Sequence, residues 1–267
     1  MVAAFLIKKR FMNRTPPVEV QRILRKENGY KCVIPECEIP YLEYHHFNPP
    51  WHLQNHHNPE GMIALCPQHH RQADGGAYTD NQLQEFKTKA REEFDKVEGK
   101  FEYLRHKILL IAGGNFYLNN SIDVAINGKP AIWFENDEDD YKLLNIELLD
   151  KNNNVYFKIR NNVWIITNDV KDIECPPSGK KLGIYFNNGD YIKLEFKELK
   201  NEGHISKINS TNFVFVNTIT NVLPITILNL EMKLENLKIH FKKDKSLIGN
   251  VSLVGYFSSN NFIGLSL

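Results

Sequence analysis

The sequence predicts an α+β protein in three parts: a small module rich in cysteine and histidine, a long connecting helix, and an antiparallel all-β domain. Residues 30–78 contain three of the four cysteines and seven of the ten histidines. Residues 79–106 repeat apolar side chains at three- and four-residue steps, and residues 107–267 alternate short apolar runs with Asn-rich turns. A chain of 267 residues is long enough for two modest domains. We therefore place the boundaries at 1–78, 79–106 and 107–267.

Charge is nearly balanced, with 33 Lys and Arg against 32 Asp and Glu. This balance excludes a protein that coats nucleic acid with a uniformly basic surface, so nucleic-acid affinity must be local. The first 31 residues form a basic N-terminal arm, with eight basic and two acidic side chains. No apolar run has the length of a membrane span, and the opening MVAAFLIKKR reverses the order of a secretory signal. We expect a cytoplasmic protein with no membrane partner.

The first predicted element is a short basic helix. The segment VEVQRILRKEN, residues 18–28, contains good helix formers, begins after two prolines and stops at Gly29. Basic side chains here and after the later histidine pair are candidates for phosphate contacts, with an ordinary solvated helix face as the alternative. These candidates are Arg22, Arg25, Lys26 and Arg71.

The cysteine- and histidine-rich segment has little periodic hydrophobicity, so something other than a large core must hold it together. Its cysteines follow a C-x4-C pattern and, 28 residues later, a C-x2-H pattern. Thiolate and imidazole groups at these spacings are typical of a tetrahedral structural zinc site, and an uneven cysteine cluster favours metal over disulfides. Simple buried cysteines are the alternative. The predicted zinc ligands are Cys32, Cys37, Cys66 and His69.

The remaining histidines carry a resemblance to the HNH endonuclease family over about residues 18–78. In that family a ββα-metal fold presents a histidine pair, often followed by a proline, and then a helix entered through a cysteine-rich turn. Here His45 and His46 match the pair, with a proline three residues on. The sequence CPQHH at residues 66–70 matches the turn, and His69 takes the place of a second cysteine.

The resemblance implies a metal-dependent endonuclease that hydrolyses phosphodiester bonds in DNA. It implies His46 as the general base, a role that suits an imidazole pKa near roughly 6.5. It also implies a catalytic divalent ion, Mg²⁺ or Mn²⁺ with Zn²⁺ or Ni²⁺ as alternatives, bound by His45, His70 and Asp74. The last two are four residues apart and share a helix face. Asp74, in the sequence ADGG, could instead simply end the helix.

One position departs from the family pattern. Where the family has an asparagine five residues before the cysteine, this chain has Gly61. The nearest substitute is Asn58, which becomes a second catalytic candidate because it could hydrogen-bond across the loop that orients His46. It could equally be an ordinary Asn-Pro turn residue. The intervening His52, His56 and His57 are expected to be loop residues in contact with phosphate or solvent.

The connecting helix is predicted at residues 79–106, from a capping box at Thr79 and Gln82 through an apolar stripe. A helix of about 27 residues is roughly 40 Å long. The stripe is close to a heptad seam, which either pairs two copies in a homodimer or packs the helix against its own β domain. The stripe consists of Leu83, Phe86, Ala90, Phe94, Val97, Phe101 and Leu104.

The β domain, residues 107–267, is predicted to be a sandwich or an open barrel. Turns such as Asn127-Gly128 and Asn188-Gly189 separate its strand-like runs and indicate antiparallel hairpins. It has 18 basic and 18 acidic residues, so it has no electrostatic signature for nucleic acid. We expect it to bind a regulatory partner or ligand.

Two classes of function follow from the sequence. The first is the endonuclease, whose layout, an HNH module joined to an unrelated domain, resembles effectors of bacterial restriction or anti-phage systems. The second is a zinc-stabilised module that binds nucleic acid or protein without catalysis. The second class leaves the joint occurrence of His45, His46, His70 and Asp74 unexplained.

Overall fold

The computed structural model describes residues 12–92, 96–150, 152, 154–166, 170–203 and 213–267. Two compact units divide these residues: one built from residues up to 37 and from 42–92, the other from 38–41 and from residue 96 onward. Both are described separately below. The fold is α+β and mostly strand, as the sequence predicted at this level.

The first unit is a β-hairpin surrounded by three helices. Its elements are α1 (Val18–Glu27), β1 (Glu43–His46), a 3-10 turn (Pro59–Gly61), β2 (Met62–Leu65), α2 (Pro67–Asp74) and α3 (Asp80–Glu92). β1 and β2 pair antiparallel, with Glu43 opposite Leu65 and His46 opposite Met62. All four residues of β2 are buried. They belong to one apolar core with side chains of α1 and α3 such as Leu24 and Leu83.

Helix α1 confirms the predicted short helix at residues 18–28. It begins directly after Pro17 and ends at Asn28, where Gly29 adopts a φ of 58°. A positive φ is easily reached by glycine, which is why the helix stops there. The buried Lys87 of α3 forms an ion pair with Glu27 of α1, so the two helices are joined by charge as well as by apolar contacts.

Helix α3 is shorter than the sequence predicted. Its capping box is present, since Thr79 and Gln82 exchange hydrogen bonds of 2.9 and 3.2 Å. The predicted continuation to residue 106 is wrong, because Val97–Lys100 forms strand β3 of the second unit. Phe94 lies outside the described residues.

Pairing with a distant strand explains why residues 97–100 do not continue the helix. Buried and exposed residues alternate along β3, which is the period of a strand, and β3 pairs antiparallel with residues 163–166. A Cβ on Gly99 would lie 2.2 Å from the ring of Trp164, so this position requires glycine. Glycine is also a poor helix former. The described residues of the predicted apolar stripe are therefore divided between α3, strand β3 and the segment after β3, and they do not form one seam.

The described part of the second unit consists of strands, one α-helix and a 3-10 turn at Glu235–Leu237. In chain order its elements are β3, β4 (Ile108–Ala112), β5 (Asn115–Leu118), β6 (Ile122–Ile126), β7 (Lys129–Asn136), β8 (Lys142–Leu149), β9 (Val155–Arg160), β10 (Val163–Ile166), β11 (Val170–Glu174), β12 (Lys181–Phe186), β13 (Tyr191–Leu199), α4 (Phe213–Thr220), β14 (Ile225–Leu234), β15 (Ile239–Phe241), β16 (Ser246–Ile248), β17 (Val251–Leu253), β18 (Phe257–Ser259) and β19 (Ile263–Ser266). Helix α4 packs on β5 through Phe215, whose ring stacks on Phe116 at 4.1 Å.

In the described part of the chain, these strands form two sheets. The first has the order β19-β6-β7-β8-β9-β10-β3, and the second the order β11 to β17 with β4, β5 and β18 beside it. Antiparallel hairpins dominate, including those at the two predicted Asn-Gly turns. Three pairs are parallel, however: β4 with β14, β5 with β18 and β6 with β19. The prediction of a wholly antiparallel domain is therefore wrong.

None of the described helices is both long and apolar enough to cross a membrane.

Candidate functional site

Four thiol and imidazole side chains converge in the first unit. Cys32 and Cys37 lie in the segment between α1 and β1, while Cys66 is the residue before α2 and His69 lies in its first turn. Their Sγ and Nδ1 atoms all lie within 4.8 Å of one another. The cluster could hold a metal ion, and the structure brings together all four of the ligands that the sequence predicted for it.

The distances between these donors fit one tetrahedral ion. His69 Nδ1 lies 3.3 Å from both Cys32 Sγ and Cys66 Sγ, and Cys37 Sγ lies 3.9 Å from Cys66 Sγ. Bonds of about 2.3 Å to sulfur and about 2.0 Å to nitrogen give tetrahedral edges of roughly 3.5 to 3.8 Å. The donor set and its spacing therefore match a closed structural site.

Burial favours the protonated form of the Cys32 thiol in this cluster. Burial raises the pKa of Cys32 far above that of an ordinary thiol, and the neighbouring Cys37 and Cys66 raise it further. A bound ion reverses this preference, because a coordinating thiol loses its proton. Metal binding and proton release are thus coupled at this site.

A second group of donors lies where β1 meets α2. His45 Nδ1 lies 3.3 Å from Asp74 Oδ1, and His70 Nδ1 lies 3.5 Å from Asp74 Oδ2. The two imidazole rings meet edge to face, with centroids 5.3 Å apart. These three side chains also present ligand atoms within 4.8 Å of one another. Asp74, the last residue of α2, thus both ends the helix and faces the histidines.

An unpartnered nitrogen supports a cation at this second group. His45 is buried, and its Nδ1 makes no hydrogen bond although it points toward Asp74. Burial lowers the pKa of His45, and the charge of His70 lowers it further, while Asp74 opposes both effects. The ring is therefore held in the neutral form, which is the form that ligates metals. A divalent ion between His45, His70 and Asp74 would satisfy the orphaned nitrogen.

Two charged side chains at this group were missed in the sequence. Glu43 Oε2 lies 3.3 Å from His70 Nδ1, and Arg14 Nη2 lies 3.7 Å from Asp74 Oδ1. Glu43 could have been found, because it is two residues before His45 and so shares its face of the strand. No nearby sequence feature predicts the position of Arg14, because only the fold brings the segment before α1 close to the end of α2.

His46 occupies a different environment from its neighbour. It is only 3% exposed, and its ring packs against Trp51, His56 and His57 at centroid distances of 4.7, 5.2 and 5.8 Å. Burial lowers the pKa of His46 to about 4, with further lowering by the other histidines and an opposing effect of the His56 main chain. Neither ring nitrogen completes a hydrogen bond of normal geometry. His46 is not among the converging ligand atoms of the second group.

Position 61, where the HNH resemblance would place an asparagine, must be glycine because the backbone of Asn48 lies so close to it. Its carbonyl accepts hydrogen bonds from the amides of Phe47 at 3.0 Å and Asn48 at 3.2 Å. A Cβ on Gly61 would lie 1.9 Å from the Asn48 carbonyl oxygen, so no side chain fits. Asn58 caps the 3-10 turn, where its Oδ1 accepts the Glu60 amide at 3.3 Å. This is the turn role that the sequence left open for Asn58.

The predicted phosphate contacts separate into buried and exposed side chains. Arg25 is 3% exposed and donates to Tyr44 Oη at 2.7 Å, so its prediction as a phosphate contact is wrong. Its helical position faces β1, which the charge pattern alone did not reveal. Arg22 pairs with Glu19 at 2.7 Å. Lys26 and Arg71 are exposed.

Comparison of the chain with known protein families, curated proteins and solved structures finds no match. The chain is therefore classified by its metal-donor side chains. Its first unit has two candidate metal centres, one of the Cys3His type and one with imidazole and carboxylate ligands.

Proposed function

We propose that this chain is a metal-dependent endonuclease of the HNH type, which hydrolyses phosphodiester bonds in DNA. The observation that carries the proposal is the convergence of His45, His70 and Asp74 beside a separate Cys3His cluster. His45 lies on β1, and His70 and Asp74 lie on α2. The other cluster combines the segment after α1 with the start of α2. The β1–β2 hairpin followed by α2 supports the proposed ββα-metal module. A merely structural zinc module has no need of the second group.

The two centres have different proposed roles. Zn²⁺ at the Cys3His cluster joins the segment after α1 to the start of α2 and supplies folding energy to a unit with a small core. A divalent ion, Mg²⁺ or Mn²⁺, binds at His45, His70 and Asp74. When bound there it neutralises charge on the phosphate and assists the departure of the 3′ oxygen.

The protein's own side chains complete the proposed chemistry. His46 is the proposed acceptor of a proton from the attacking water. Its pKa, lowered to about 4, leaves the ring unprotonated at neutral pH and makes it a weaker base than an ordinary imidazole. Arg14, whose side chain is 56% exposed beside Asp74, contacts the substrate phosphate. Lys26 and Arg71, both exposed, add contacts to the DNA backbone.

The proposal extends to the second unit and to the biological role. We propose that the β unit binds a regulatory partner or ligand, and that the chain acts in the cytoplasm as an effector of a bacterial restriction or anti-phage system. Helix α3 is a proposed surface for a homodimer, although its bounds, Asp80–Glu92, allow a shorter contact than a helix to residue 106.

The direct test is cleavage of supercoiled plasmid by the zinc-loaded protein with Mg²⁺, Mn²⁺ or EDTA. Wild type is expected to cut with a divalent ion and not with EDTA, and Asp74→Asn and His46→Ala are expected to lose most activity. Asp139→Asn removes another exposed carboxylate, in the β unit, and serves as the control. Intact plasmid with wild type under all ions refutes the proposal, and full activity of His46→Ala refutes the role of His46.

A second candidate function is a zinc-stabilised module that binds nucleic acid or protein without cutting. The observation that favours it is the burial of both His46 ring nitrogens, which separates them from solvent. A gel-shift titration of labelled DNA by zinc-loaded wild type, without added Mg²⁺ or Mn²⁺, distinguishes the two functions. Tight binding, with no cleavage on addition of Mg²⁺ or Mn²⁺, supports the binding module.

A further inference from the structure

The loop between β1 and the 3-10 turn, residues 47–58, covers His46 and is fixed along its length. The amides of Leu53 and Gln54 both donate to the Pro50 carbonyl, at 2.9 and 3.1 Å. The Asn55 side chain donates to the Trp51 carbonyl at 3.0 Å. Trp51, which contacts the His46 ring, therefore lies in a loop held by hydrogen bonds.

His56 joins the two ends of this loop through both of its ring nitrogens. Its Nδ1 lies 3.1 Å from the Asn58 amide nitrogen, which can only donate. Nδ1 therefore lacks a proton, and Nε2 carries it and donates to the Pro49 carbonyl at 2.9 Å. These two contacts select the tautomer of His56 that carries its proton on Nε2. This side chain is buried, so its prediction as a contact to phosphate or solvent is wrong.

The His56 ring uses the space that Gly61 leaves open. A Cβ on Gly61 would lie 3.0 Å from His56 Cε1 as well as against the Asn48 carbonyl. A residue with a side chain at position 61 would therefore displace this imidazole. Gly61 and His56 therefore depend on each other. The absence of a side chain at Gly61 leaves space for the His56 ring, and the hydrogen bonds of His56 hold the two ends of the loop together.

His46 depends on that arrangement for its orientation. The His56 ring meets it edge to face at 5.2 Å and 87°, and Trp51 covers it at 4.7 Å. Because neither His46 nitrogen completes a hydrogen bond of its own, packing against the loop fixes the ring. We propose that His56 is a positioning residue, which holds the loop so that the His46 imidazole keeps a single orientation. The inference rests on the proposed function, in which His46 is the general base.

The test uses zinc-loaded full-length protein with two substitutions at one position. His56→Phe keeps a planar ring and removes both hydrogen bonds, whereas the His56→Gln amide supplies one donor and one acceptor. The control His106→Leu removes an exposed histidine that lies 3.1 Å from the Asp140 carbonyl in the β unit. Plasmid cleavage in Mn²⁺ gives kcat and KM. The nuclear Overhauser contact between the His46 and Trp51 rings reports the orientation independently of activity.

We expect His56→Phe to lose about 100-fold in kcat, the order of loss from a displacement of about 1 Å, with unchanged KM and zinc content. It should also lose the Overhauser contact, while His56→Gln and His106→Leu keep the contact and most of kcat. A folded His56→Phe with wild-type kcat overturns the inference, and so does an equal loss in His56→Gln. If His56→Phe binds no zinc, His56→Leu is measured against the same criteria.

Failure of the proposed function has a different signature. Wild type that leaves plasmid intact with every ion overturns the endonuclease and, with it, the catalytic part of this inference. The Overhauser contact identifies this case, because it is present in wild type whether or not the protein cuts DNA.

Discussion

Replacing Gly61 with asparagine, the residue that the HNH resemblance places there, is expected to destabilise the first unit. A Cβ at this position would lie 1.9 Å from the Asn48 carbonyl oxygen, where contacts below 3.0 Å are essentially never seen, so the backbone must move by about 1 Å or more. Overpacking of this kind costs roughly 1–3 kcal/mol. The two amide bonds to the Gly61 carbonyl weaken at the same time, at about 1 kcal/mol each. The sum is about 3–5 kcal/mol, a large part of the stability of a small unit.

The assay is urea unfolding of the zinc-loaded protein, followed by zinc release to a coloured chelator, because the four proposed zinc ligands lie in the first unit. Gly61→Ala adds the Cβ alone and should lose a similar amount, which separates the backbone clash from any effect of the amide. Gly75→Ala is the matched control, since its nearest neighbour is 3.4 Å away and its φ is −81°. An unfolding free energy of Gly61→Asn within about 0.5 kcal/mol of wild type refutes the reasoning.

Three further predictions concern metal, charge and pH. Cys37→Ser should abolish bound zinc in elemental analysis. His45→Ala should keep zinc and weaken Mn²⁺ binding in calorimetry. Loss of zinc from both variants would contradict the assignment of two separate metal centres. Lys87→Met leaves the Glu27 carboxylate without its buried cation and should cost about 3–5 kcal/mol in urea unfolding, and a neutral result contradicts this. Burial raises the pKa of Asp123 from 3.8 to about 7. Its folded pKa exceeds its unfolded pKa, so the neutral carboxyl contributes its whole stabilising effect below about pH 4. As pH rises to 7, the free energy of unfolding falls by up to about 4 kcal/mol because of this group. Asp123→Asn should remove this fall, and an identical pH profile in both proteins contradicts the assignment.

The sequence predicted which side chains converge in the two donor groups, and part of the information for them is local. Cys66 and His69 are three residues apart, and His70 and Asp74 four apart, so the geometry of one helix start places each pair on one side. Paired cysteine spacings then identify the donors that complete the first group. Sequence reasoning also found α1 and the Asn-Gly hairpins, whose signals are proline, glycine and asparagine at turns.

The errors occurred where a distant segment decides the outcome. The apolar stripe continues beyond α3 in helical steps, but a strand pairing with residues 163–166 and the Trp164 ring against Gly99 draw residues 97–100 into a sheet. Arg25 has the same charge as the exposed Lys26, but its helical position buries it against Tyr44 of β1. The three parallel pairs join segments far apart in the chain, so no turn signal announces them.

By itself the sequence determined the short helix, the hairpins and the paired spacings of the candidate metal donors, because each depends on residues within a few positions of one another. Only the tertiary structure decided the environment of those donors. It placed Arg14 at Asp74, gave His46 a buried setting under the loop, and showed that Gly61 leaves room for His56. The physical reason is that burial and close approach depend on what the rest of the chain brings to a residue, and spacing along the sequence does not contain that information.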